Sequence, residues 1–174
     1  MATLIECSSM ILNTDDSTNM YTGIEMQLNL ISGYNVDYCP LREDYLNWIP
    51  FEFKLKIDNS EIYTYEIDDR VSLNLAELRY FFNKMDCFIN KIHAAVPEPG
   101  KYWLDEPIKV DFFSCEQYFG FDFEYTESNT TRITVWVISR KDGGFERGFR
   151  YVVKIKDVQN FLSDLKEQLE SMLK

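Results

Sequence analysis

The chain has 174 residues, 45% of them apolar, and carries a net charge of −11. That length predicts one domain, residues 1–174, able to bury about 70% of its unfolded surface without help from disulfides or metal. The acidic balance repels phosphate backbones, which excludes nucleic acid as the expected partner and favours a basic protein, and no window reaches the ~20 apolar residues of a membrane span.

Residues 1–21 show no clean period and read as an irregular N-terminal arm with a short strand at Thr3 to Glu6. Met1 to Glu6 lacks the basic segment and apolar stretch of a secretory signal, so a cytoplasmic location is expected. Ile24, Met26, Leu28 and Leu30 then alternate with Glu25, Gln27 and Asn29, the pattern of a half-buried strand. A long connection over 33–49 leads to a clearer strand. In it Phe51, Phe53, Leu55 and Ile57 oppose Glu52, Lys54 and Lys56, and Asp58-Asn59-Ser60 turns the chain back through Glu61 to Ile67.

A helix over 74–93 follows. Asn74 and Glu77 make a capping box, Leu75, Leu78, Phe82, Met85, Ile89 and Ile92 form its apolar stripe, and Pro97, Pro99 and Gly100 close it. Four more strands come next. Their inward rows are Ile108/Val110/Phe112, Phe119/Phe121/Phe123/Tyr125, Ile133/Val135/Val137 and Phe149/Tyr151/Val153/Ile155. Hairpin turns are expected at 127–129 and 141–144. A second helix starts from Asp157 as its N-cap and runs to 173 with a stripe of Val158, Phe161, Leu162, Leu165, Leu169 and Met172. Strands, helix, strands, helix with short turns predict an α+β fold: a meandering antiparallel sheet of about six to seven strands with two main helices packed on one face.

The search for chemistry is short. Gly143 and Gly148 have the outer spacing of a phosphate-binding loop, but Phe149 and Arg150 stand where Lys and Ser/Thr are needed. The one histidine, His93, falls in the last turn of the first helix, where a cation meets the negative dipole end. Cys7, Cys39, Cys87 and Cys115 have no metal-ligand or redox spacing and read as free thiols. No cofactor or metal is expected. Paired carboxylates remain: Asp122 and Glu124 on one strand face with Asp111 beside them, and Asp68-Asp69 and Asp105-Glu106 at loop edges. These fit a solvated face, a protein-binding face or the acid/base pair of a small hydrolase. Tyr63, Tyr65, Tyr118 and Trp136 either lie open on the sheet as anchors or are covered by a second layer.

Gly33-Tyr34 after the early strand, Phe112-Phe113-Ser114-Cys115 running into Phe119-Gly120-Phe121, and Gly148-Phe149-Arg150-Tyr151-Val152-Val153 leading through Ile155 and Asp157-Val158 to the final helix form a further pattern. From about Gly23 onward the chain resembles the WapI-like immunity proteins of bacterial polymorphic toxin systems. The resemblance implies a cytoplasmic, non-enzymatic protein that neutralises a cognate basic toxin, a nuclease domain being one such toxin, by direct binding. The strand-face assignments, and not the resemblance, give the expected binding positions: Asp111, Asp122 and Glu124, with Tyr118 as an apolar anchor on the same face. The other readings are a small carboxylate-dependent hydrolase and a structural or regulatory partner subunit without inhibitory action.

Overall fold

A computed structural model describes residues 1–6, 23–33, 37–66, 69, 71–95, 107–116, 118–126, 129–139 and 145–174, with backbone only at 138, 139 and 145–147. Among the described residues the chain is α+β, with nine strands in two antiparallel sheets and two α-helices. The first sheet runs β1 (Ala2–Ile5), β2 (Ile24–Leu30), β3 (Trp48–Ile57) and β4 (Ser60–Tyr65), each beside the next, with β5 (Ser72–Asn74) paired to the start of β3. The β3–β4 turn places Asp58 and Asn59 at φ 51° and 64°, a left-handed conformation that short polar side chains tolerate. Facing rows are in register, Leu28 against Phe53 and Met26 against Leu55, so one slip would turn the whole apolar set to water.

The second sheet is a four-stranded meander of β6 (Lys109–Phe113), β7 (Phe119–Thr126), β8 (Thr130–Ser139) and β9 (Phe145–Lys154). Two sheets therefore replace the single one expected. Period-2 patterning identifies strands and their faces, but it does not say which hairpins share a ladder. The β5 pairing also went unforeseen, since three residues are too few to show alternation.

The first helix, α1 (Leu75–Ala94), follows directly on β5 and opens with the expected capping box. Asn74 Oδ1 accepts from Glu77 N, and Glu77 Oε2 accepts from Asn74 N, both at 2.9 Å. The second helix, α2 (Ile155–Met172), starts two residues before the expected N-cap. β9 runs straight into it, Lys154 takes the cap position without a side-chain bond, and Asp157 falls in the first turn, where it still meets the positive dipole end.

The inward rows of both sheets and the stripes of both helices share one buried cluster. Phe53 stacks on Phe119 with centroids 5.2 Å apart, joining the sheets, while Phe81 of α1 sits 4.8 Å from Phe112. Phe51, Phe53, Phe121, Phe123, Val135 and Tyr151 are buried together, as the alternation predicts. α2 lies against β1 and β2, and its Gln168 Oε1 accepts from Leu30 N at 2.7 Å. No described helix is long and apolar enough to cross a membrane.

Candidate binding face

Burying Phe112, Phe119, Phe121, Phe123, Ile133 and Val135 inward forces the alternate residues of β6–β9 onto an outer face. Register sorts that face into rows. One holds Asp111, Asp122, Thr134 and Arg150, and the next holds Lys109, Glu124, Arg132 and Val152. A third holds Phe113, Gly120, Trp136 and Gly148.

The third row alternates ring and glycine. A Cβ on Gly148 would come within 2.8 Å of Trp136 Cζ3, and one on Gly120 would run into the Phe113 ring. Each ring thus lies across the bare backbone of the neighbouring strand, which only glycine permits. Phe113 remains 45% exposed, and the half-buried Trp136 donates its Nε1–H to Asp122 Oδ2 at 2.5 Å. The two rings form an aromatic strip on the sheet surface.

Beside the strip the charges are engaged. Asp111 stands directly opposite Asp122, a like-charge juxtaposition that is unfavourable by itself. It is relieved sideways, Asp122 by Trp136 and Asp111 by Lys84 of α1, whose Nζ is 3.5 Å from the carboxylate. Glu124 sits between Lys109 Nζ at 3.1 Å and Arg132 Nη1 at 3.0 Å. The hydrogen bond from Lys109, and then that from Arg132, hold its carboxyl below the usual carboxylate range despite partial desolvation. Arg150 Nε donates to Thr134 Oγ1 at 3.1 Å, and the rows enclose a depression of ≈330 Å³.

Asp111, Asp122 and Glu124 do share one face, but it is charge-balanced and not the bare acidic surface expected. Tyr118 is not on that face. It precedes β7, in a turn where Ser114 Oγ accepts from its N–H at 2.8 Å, so strand alternation does not govern its side chain. Its ring instead meets Phe51 at 5.7 Å and Tyr65 at 5.4 Å, at the margin of the core. Tyr63 and Tyr65 belong to that same cluster, so of the aromatics weighed as anchors only Trp136 is on the outer face. Among the loop acids Asp69 accepts from Glu66 N at 2.7 Å, while Asp68, Asp105 and Glu106 lie outside the described residues. Phe113, Gly120, Gly148 and Lys84 were missed. Alternation alone puts 113 and 136 outward, but the ring-on-glycine pairing requires the register.

His93 is exposed at the end of α1, 3.1 Å from Gln159 Nε2. The Cys115 thiol is pushed up by desolvation and then by its hydrogen bond to Glu77, the reverse of an activated thiolate. A general acid needs a raised pKa, and Glu124 has a lowered one. Among the described residues no three His, Cys, Asp or Glu side chains converge as metal ligands would. Comparison with protein-family models, curated proteins and solved structures gives no match.

Proposed function

We propose that this chain is an immunity-type binding protein that neutralises a cognate basic toxin in the cytoplasm by direct contact, and that it makes the contact with the outer face of the β6–β9 sheet. The observation that carries the choice of face is the aromatic strip: two rings seated on glycines and flanked by ion pairs already held in place. Rigid aromatic and Arg side chains lose little entropy on docking, and they dominate the energetics of protein interfaces. The toxin part of the proposal rests on the family resemblance and on the charge of −11, which speeds encounter with a basic partner.

The test is co-expression with the toxin domain encoded beside this chain, followed by association and dissociation kinetics. Phe113→Ala with Trp136→Ala should raise the dissociation rate about 30-fold or more, the size of a lost hot spot, and abolish growth protection. Normal protection and kinetics from the double variant would remove this face from the proposal. A wild-type chain that binds the toxin without protecting the cell would favour the regulatory-subunit reading, and one that does not bind at all would end the immunity reading.

A further inference from the structure

We infer that the outer edge of β6, which no described strand pairs, docks an acidic, extended segment of a partner protein, which adds to the sheet as a strand. This goes beyond the function proposed above, because it concerns the strand edge that adjoins that face along β6 and selects the opposite charge. β6 is an outer strand of its sheet. The bonds Tyr125 N→Ile108 O at 2.9 Å and Ser114 N→Phe119 O at 3.1 Å bracket its ladder. Antiparallel alternation then directs the main chain of Val110 and Phe112 into β7 and leaves the N–H groups of Lys109, Asp111 and Phe113 pointing away from it. Lys84 reports the same geometry, since its Nζ donates to the outward Asp111 carbonyl at 3.0 Å.

Along that edge runs a groove of ≈350 Å³ between β6 and α1, with Tyr80 and Phe88 in its lining. Among the described residues, Lys84, Lys91 and Lys109 surround it against the single acid Asp111, a local reversal of sign in a chain of charge −11. Lys84 and Lys109 are partly neutralised by Asp111 and Glu124, whereas no ion pair reaches Lys91 among the described residues. Lysines commonly protect an edge by repelling other strands. Here that protection is selective: it turns away basic or neutral strands and admits one bearing carboxylates. Main-chain bonds supply affinity and the lysines supply specificity.

The test titrates the full chain with labelled peptides of about eight residues, one alternating Glu with Val and one alternating Lys with Val, read by fluorescence anisotropy and by amide NMR shifts. The Glu/Val peptide should bind and shift the amides of Lys109, Asp111 and Phe113, while the Lys/Val peptide should not bind. Lys91→Glu with Lys109→Glu should weaken binding about tenfold or more. Asp111→Pro removes one outward N–H without breaking a ladder bond. It should weaken binding by a similar factor even though it deletes an acid, with the melting curve confirming that the variant folds. No binding at about 1 mM peptide, equal binding by Asp111→Pro, or shifts confined to another surface would overturn the proposal. So would a dimer of the chain alone that Asp111→Pro dissociates, which would give the edge to a second copy. The peptide is read on the isolated chain, so this result is independent of the toxin experiment.

Discussion

Glu77 offers the sharpest stability test, because one buried carboxylate holds two separate pieces of main chain. The residue is 7% exposed. Oε2 accepts from Asn74 N at 2.9 Å, closing the capping box of α1, and Oε1 accepts from Cys115 N at 2.5 Å in the β6–β7 turn. Glu77→Ala keeps the Asn74 cap on the residue-77 N–H but strands the N–H groups of Asn74 and Cys115, at about 1–3 kcal/mol each when buried. Partial re-solvation at the turn, where Cys115 is exposed, brings the expected loss to about 2–4 kcal/mol. Glu77→Gln is the informative control. It keeps the shape and one acceptor oxygen, but its amide N–H₂ must face the other donor, so about 1–3 kcal/mol should still be lost. Urea unfolding of the three proteins measures these differences. For a chain of this size each kcal/mol should also lower the melting midpoint by about 2–4 °C. Hydrogen exchange at the Cys115 amide should accelerate in Glu77→Ala, which leaves it no carboxylate acceptor. A Glu77→Gln loss under about 0.5 kcal/mol, or unchanged exchange at Cys115 in Glu77→Ala, would refute the double-acceptor account.

Phe121→Ala should cost about 3–5 kcal/mol in chemical denaturation, because its fully buried ring lies 5.0 Å from Phe119 and 5.9 Å from Phe81; a loss below about 1 kcal/mol would mean the core is not built around it. Tyr151→Phe should stabilise the protein by about 1 kcal/mol, since the Tyr151 hydroxyl is buried with no hydrogen-bond partner among the described residues and burial pushes its pKa far up; destabilisation would reveal a partner. Glu124 has a depressed folded pKa, so its ion pairs add stability above the unfolded value of about 4.3 and lose it as pH falls through the folded one. Glu124→Gln should therefore be less stable than wild type at pH 7, by no more than about 1 kcal/mol on this open face, and the gap should close in acid unfolding below the lowered folded pKa; a constant gap would assign the loss to packing.

Much of the fold was legible because its signals are local. The Asn74–Glu77 box, the 3.6-residue stripes and the alternating rows each depend on neighbours within a few positions, and each recurs in the structure. What failed depends on contacts distant in sequence. The division into two sheets, the brief β5 pairing and the early start of α2 follow from how separate hairpins meet, which no periodic pattern encodes. At the candidate face, alternation correctly gathered Asp111, Asp122 and Glu124, but it could not show that Lys84 arrives from α1 or that Trp136 covers Gly148. It misplaced Tyr118 because the period-2 rule was carried one residue beyond the strand.

The docking of α2 on β1 and β2 has a consequence for how the chain is made. Leu30 and its acceptor Gln168 are 138 residues apart. At a synthesis rate of about 5–20 residues per second, roughly 7–28 s separate the appearance of the two. Throughout that interval the ladder of β1, β2 and β3 can form, but Leu4, Met26 and Leu28 have nothing of α2 to cover them. The first sheet to leave the ribosome is thus the one that waits with an open apolar side, a nascent surface suited to a holding chaperone. A stop after Lys154 would make that interim state permanent, and aggregation would begin at the opposite end of the chain from the lesion.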